Sequence, residues 1–301
     1  MNRTLPVPLQ NGAHGEMSMT ASDGRSWVLI TGCSTGIGQA LVATCRAAGW
    51  GVVATARALK ALEPLPQGPD LMRLVLDVTR PDTIAAALEA CAPLRLTALI
   101  NNAGYGQMGP LEFLLAQELR DQFETNVVGL HAVTTAFLPL IRRNAGPGEG
   151  RIVHLASVLG RMSVPCAGAY CASKHAVVAL AETLRLEVEP GIRVILAEPG
   201  AVRSEFRDAL ARALAGVRQR TVGTRFEPIL AGYLARQEAH SQSHGLSAQA
   251  CARRITAAMA RRRPPRRLVI GRDAFWSCAA KAILPASIWE WAVRRAFGLE
   301  G

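Results

Sequence analysis

The stretch Trp27-Val-Leu-Ile-Thr31-Gly32-Cys-Ser-Thr-Gly36-Ile-Gly38-Gln-Ala-Leu-Val-Ala-Thr-Cys-Arg46 decides the fold. Its opening apolar run reads as a short buried strand, and the segment from Gln39 onward carries a helical pattern. Between them Gly32, Ser34, Thr35, Gly36, Ile37 and Gly38 make a turn. A glycine cluster alone marks any tight turn. Set between a buried strand and a helix start, it marks a phosphate site. The glycines let the backbone approach closely, and free N–H groups at the helix N-terminus attract a pyrophosphate.

Outward from this turn the chain alternates strands and helices. The next strand, Gly51–Ala56, ends in Arg57. An Asp or Glu there would hold the ribose hydroxyls of NAD, whereas a guanidinium suits a 2′-phosphate. NADP(H) is therefore the expected cofactor; an ordinary solvated arginine is the bland alternative. The strand starting at Leu71 runs into Asp77 and Val78, followed by a helix over about 81–91. The strand from Thr97 leads into Asn101, Asn102, Ala103 and Gly104, small and amide residues along which a cofactor can lie. Helices are predicted over about 110–122 and 123–144. Asn126 stands in the second as a lone polar residue, either a packing asparagine or the holder of a relay water. The strand from Gly191 closes with Pro199, Gly200, Val202 and Ser204. Such alternation predicts a doubly wound parallel sheet of about seven strands with helices on both faces, its ligands lying beyond the strands' carboxyl ends.

Ser157 ends another buried strand, and Tyr170 and Lys174 follow on a helix over 167–188. Residues four apart share a helix face. A phenol is a poor base at neutral pH, and a neighbouring ammonium favours the phenolate, so Lys174 is expected to lower the pKa of Tyr170. The Ser157 hydroxyl could then hold a substrate oxygen against Tyr170. The pair alone is a common accident of helices; its company upstream gives it weight.

Composition narrows the function classes. The 301 residues are 50% hydrophobic and 19% charged, with seven cysteines and no Cys-x-x-Cys pair. That fits a compact soluble chain in a reducing compartment, with cysteines as small core residues and no zinc or disulfide framework. The formal net charge is +11, and the chain from Cys251 onward holds eleven cations against Asp273, Glu290 and Glu300. No reading motif accompanies the Arg261–Arg267 run, so it predicts a solvated helix end and no nucleic-acid partner. Residues 1–25 carry no apolar core of a signal peptide and read as a flexible extension, or as an over-long start given Met17 and Met19.

Thr31-Gly-x-x-x-Gly-Ile-Gly38, Asn101-Asn-Ala-Gly104, Asn126, Ser157, Tyr170-x-x-x-Lys174 and Pro199-Gly200 fall in the order and spacing of one family. The chain resembles the short-chain dehydrogenase/reductases of the compact Rossmann-type branch, and looks closest to hydroxysteroid and retinol dehydrogenases. The resemblance implies a general acid/base Tyr170, a Lys174 that holds the nicotinamide ribose, a Ser157 that positions the carbonyl and an Asn126 that anchors a water. It implies that Val202 and Ser204 flank the carboxamide, Ser204 standing where threonine is common, and that no metal is needed.

The catalytic domain is expected over 26–272, with a substrate lid at 203–246 and a helical tail at 273–301. Met108, Val158, Val164, Pro165 and Leu210 are candidate pocket residues, which suggests a bulky apolar alcohol or carbonyl substrate. In the tail, Ile288, Trp289, Ala292, Val293, Ala296 and Phe297 share a face. That face would cover the cleft or pack on a second copy in a homo-oligomer. Alternatively the tail would rest on an anionic membrane, making the cytoplasmic protein peripheral at its inner face. A 3-oxoacyl thioester reductase and a non-catalytic NADP-binding regulatory protein are the competing functions.

Overall fold

The computed structural model describes residues 24–203 and 207–299. All but the last two residues of the expected N-terminal extension lie outside them. The strands are β1 (Trp27–Ile30), β2 (Gly51–Ala56), β3 (Leu71–Val75), β4 (Leu96–Asn101), β5 (Gly150–Leu155), β6 (Ile192–Pro199), β7 (Val202–Arg203), β8 (Leu246–Ser247) and β9 (Arg267–Ile270). The helices are α1 (Gly36–Ala47), α2 (Pro81–Cys91), α3 (Ala116–Phe123), α4 (Leu130–Asn144), α5 (Gly168–Val188), α6 (Arg207–Thr221), α7 (Phe226–His244), α8 (Ala248–Met259), α9 (Arg272–Ile283) and α10 (Ala286–Ala296). Seven strands form a parallel sheet in the order β3-β2-β1-β4-β5-β6-β9, and β7 pairs with β8 separately.

Both sheet faces are covered, which is why the strands read as unbroken apolar runs. Along β1, Trp27 and Leu29 pack with Ile84 of α2, Phe137 of α4 and Val177 of α5. Val28 and Ile30 point the other way, to Leu41 of α1 and Ile255 of α8. Each such aliphatic side chain, fully buried, contributes about 1.5–3 kcal/mol. All seven cysteines are free and buried, and burial pushes the thiols of Cys33 and Cys91 up to about 12.

The helix expected over 123–144 is broken at its start. Residues Glu124–Gly129 form one wide π-type turn before α4 begins. Gly129, at the end of this turn, lies so close to Val78 that a Cβ there would sit 2.7 Å from Val78 Cγ2, so only glycine fits at this approach. The other predicted helix likewise begins only at α3, after a 3-10 turn at Leu111–Phe113.

Two buried charges lock the far end of the sheet. Glu198 at the end of β6 is fully buried and accepts from Arg161 Nε at 2.7 Å and Arg267 Nη1 at 2.9 Å. Arg151 in β5 donates to the carbonyls of Met259 and Arg261, each at 3.0 Å, so its guanidinium closes the C-terminus of α8. Arg261, Arg262 and Arg263 themselves are exposed at that turn. No described helix is long and apolar enough to cross a membrane.

Candidate active site

At the carboxyl end of β1 the turn takes backbone shapes that need glycine. Gly32 and Gly36 have φ of +72° and +60°. A Cβ on Gly38 would lie 2.0 Å from the Gly32 carbonyl oxygen, so α1 can start this close to the strand only with glycine there. Asn102 braces the turn: its Nδ2 donates to the Thr31 and Gly32 carbonyls at 2.8 and 2.9 Å. The backbone N–H groups of Asn102 and Ala103 both donate to Thr31 Oγ1 at 3.0 Å. Thr35 caps α1 without a side-chain hydrogen bond, which leaves first-turn N–H groups for an anion. Such a cradle fits a dinucleotide pyrophosphate.

The turn opens on a cavity of about 1350 Å3 along the strands' carboxyl ends. Every turn residue predicted to bind nucleotide lines it, as do Arg57, Asp77, Val78, Asn102, Ala103 and Gly104. Arg57 is exposed at its rim, and the Asp77 carboxylate accepts from Thr79 N at 3.0 Å. Pro199, Gly200 and Val202 line the end near β6, and Met108, Val158 and Val164 join Ser157, Tyr170 and Lys174.

Lys174 is buried, and its Nζ donates to the Leu155 carbonyl at 2.8 Å while standing 5.7 Å from the Tyr170 ring centroid. Burial pulls this ammonium down to about 8. The expected lowering of Tyr170 by Lys174 does not prevail. Burial pushes the phenol up to about 12, and it is a hydrogen bond with Ser157 that works in the opposite direction. Ser157 Oγ also accepts from Leu159 N at 3.1 Å. At neutral pH Tyr170 thus keeps its proton.

Two predicted residues do not reach the cavity. Pro165 opens the turn that leads into α5, where Cys166 has φ of +60°, and Val164 is the neighbour facing inward. Asn126 is buried in the wide turn, its Oδ1 accepting from Tyr105 N at 3.0 Å. Its Nδ2 donates to Tyr105 O at 3.0 Å and Ser173 Oγ at 3.2 Å. Both ends of the amide are thus engaged with Tyr105 and with Ser173 of the Tyr170 helix. Ser204 and the side chain of Leu210 lie outside the described residues.

Within the expected lid the sequence singles out only Leu210 as a pocket residue and misses the residues of α7. Tyr233, Arg236, Gln237 and His240 all line the cavity from α7. Their i, i+3, i+4, i+7 spacing was the available signal. From the tail come Asp273, Ala296 and Phe297. Phe297 stacks on Tyr233 with ring centroids 6.0 Å apart, so this part of the tail covers the cleft. Asp273 Oδ2 accepts from Ala201 N at 3.1 Å and lies 3.2 Å from His240 Nε2, tying tail, lid and the loop after β6 together. Of the residues expected to share a face, Ile288 is 48% exposed, while Trp289 and Val293 line a smaller cavity with Arg161 and His175.

A parallel sheet with a glycine cradle, a buried lysine and a phenol facing one cleft defines a Rossmann-type oxidoreductase. Residues 26–215 match the family described as short chain dehydrogenase, and the chain belongs to that family. It is 37% identical to the uncharacterized oxidoreductase YbbO of Escherichia coli over 60% of this chain and 67% of that protein. It is 35% identical to retinol dehydrogenase 16 of Rattus norvegicus, over 61% of this chain and 59% of that one. With 17-beta-hydroxysteroid dehydrogenase type 1 of Homo sapiens it shares 37% identity, over 65% and 63%. The chain thus spans about three fifths of the length of the two mammalian relatives. In fold it resembles a Burkholderia cenocepacia short chain dehydrogenase in complex with NADP, with a TM-score of 0.68 at 23% identity over 91% of this chain and 98% of that one. A Burkholderia phymatum short chain dehydrogenase/reductase in complex with NAD gives a TM-score of 0.73 at 25% identity, over 85% and 92%.

Proposed function

We propose that this oxidoreductase moves a hydride between NADP(H) and a hydrophobic secondary alcohol, ketone or aldehyde, steroid-, retinoid- or lipid-like, with Tyr170 as the acid and base. The observation that carries the reading is that Ser157, Tyr170 and Lys174 face the same cavity as the glycine cradle. When bound, the nicotinamide supplies the hydride for reduction and accepts it in oxidation. The N–H groups at the start of α1 take the pyrophosphate, Arg57 the 2′-phosphate and Lys174 the nicotinamide ribose. Pro199, Gly200 and Val202 hold the carboxamide end. Ser157 donates to the substrate oxygen while Tyr170 gives it a proton in reduction and removes one in oxidation. Burial keeps the phenol protonated at neutral pH. Tyr170 therefore enters reduction carrying the proton it gives and must shed it before acting as the base in oxidation. Asn126, buried beside Ser173 on the helix that carries Tyr170, anchors the relay water.

The test is a panel of steroids, retinoids and long-chain aldehydes assayed with NADPH and NADH on the native chain and on Arg57→Asp. Turnover of apolar carbonyls, with NADPH preferred at least tenfold and the preference lost in Arg57→Asp, is the expected result. An unchanged NADPH/NADH ratio in the variant rejects the role of Arg57. Nucleotide binding without any turnover favours the regulatory reading, and turnover confined to 3-oxoacyl thioesters favours the thioester reductase.

The outer side of the tail belongs to the same reading. Phe275, Trp276, Ile283, Leu284, Ile288 and Trp291 are all exposed, Ile283 at 79% and Trp276 at 67%. Arg272, Lys281, Arg294 and Arg295 stand among them. Aromatic groups flanked by cations suit the surface of an anionic bilayer. Native protein is expected to co-sediment with phosphatidylglycerol vesicles, less so at high salt, and a Trp276→Glu/Trp291→Glu variant to remain in solution. Equal sedimentation of the two rejects a membrane contact; a halved solution mass in the variant assigns the face to a second copy instead.

A further inference from the structure

The cavity-facing stripe of α7 is polar where a lid over an apolar cleft should be apolar. Tyr233 is buried and its hydroxyl reaches Met108 Sδ at 3.5 Å, so it belongs to the packing. His240 is matched by Asp273. Arg236 is different. It lines the cavity with its guanidinium carbon 5.0 Å from the Phe297 centroid, and among the described residues no carboxylate pairs with it. The nearby acids are engaged elsewhere: Asp273 accepts from Ala201 and faces His240, and Glu238 on α7 accepts from Gln242. Phe297 in turn stacks on Tyr233. Two rings therefore lead from the apolar pocket beside Met108 and Val164 to an unmatched cation. A guanidinium stacked on an aromatic face keeps its fork of donors free for a planar oxyanion.

We infer that Arg236 forms a subsite for a carboxylate at the end of the substrate remote from its carbonyl, so that the preferred substrates are amphipathic oxo- or hydroxy-acids with an apolar spacer. This rests on the oxidoreductase reading above for the carbonyl end only. Gln237, beside it on the cavity wall, offers a further amide donor.

The full-length protein is assayed with 10-oxodecanoate and its methyl ester at neutral pH and low salt. The free acid is expected to show kcat/KM about tenfold higher, carried by KM. That preference should vanish in Arg236→Gln, return in part in Arg236→Lys and shrink with salt, with ester turnover unchanged throughout. Equal KM for acid and ester in the native protein, or a preference that survives Arg236→Gln, overturns the subsite and leaves the oxidoreductase reading intact. A coenzyme A thioester preferred over the free acid assigns the cation to phosphate and also overturns it. If neither aldehyde reacts, titration calorimetry with decanoate decides the matter without chemistry. Binding weakened about tenfold in Arg236→Gln supports the subsite, and unchanged binding overturns it.

Discussion

Tyr170→Phe is expected to bind NADPH as the native protein does and to lose about a thousandfold in kcat. The substitution removes one hydroxyl and keeps the ring, which packs against the apolar cluster that includes Met108 and Tyr233. Lys174 is held by the Leu155 carbonyl and not by the phenol, so its place beside the nucleotide should not change. KM for an apolar substrate should move little, since Ser157 still meets the oxygen. The measurement is steady-state turnover beside nucleotide titration. A variant with more than about a tenth of native kcat takes Tyr170 out of the chemistry. One that has lost nucleotide affinity makes it a structural residue.

Glu198→Gln is expected to cost about 3 kcal/mol of stability, a fall in Tm of roughly 5–10 °C. The native carboxylate is fully buried between two guanidiniums, and Arg161 and Arg267 each remain 30% exposed at the side chain. A neutral amide removes the charge that both guanidiniums share. Arg267 keeps its second partner Glu182, while Arg161 is left without a carboxylate among the described residues. An uncompensated charge is costlier than a matched one. Water reaching the partly open guanidiniums keeps the figure near the lower end of that range. Thermal melts of Glu198→Gln and of Glu198→Gln/Arg161→Met provide the check. The double variant should recover part of the loss, because the uncompensated cation is gone. A single variant that melts within 2 °C of the native chain, a change of less than about 1 kcal/mol, rejects this account.

How far the sequence could be read depended on how local each cause is. The β1–turn–α1 unit was legible because strand burial, glycine conformation and helix start all lie within twenty residues. The cofactor cleft followed from it, since the strands' carboxyl ends must share one edge in a parallel sheet. The proton affinity of Tyr170 was not legible. Spacing shows that Lys174 is near, but only packing shows that desolvation outweighs it and that the ammonium is itself depressed. Asn126 stood out as polar in an apolar stretch, and its partners Tyr105 and Ser173 lie 21 and 47 residues away. Which side of α10 meets the protein was not legible, because a single amphipathic pattern cannot say which edge of a wide apolar stripe packs and which, as at Ile288, stays exposed. The α7 stripe is illegible for the opposite reason: its regularly spaced residues are polar, and only apolar periodicity marks a buried helix face.

Asp273 belongs to the first turn of α9, yet its carboxylate holds Ala201 N and lies so near Gly200 that a Cβ there would be 2.5 Å from Oδ2. The helical extension is therefore a strut under the loop where the nicotinamide is proposed to sit, and not an appendage. A chain trimmed at residue 272 should lose nucleotide affinity along with any surface adhesion, so shortening this protein cannot separate anchoring from catalysis, and point changes on the outer face can.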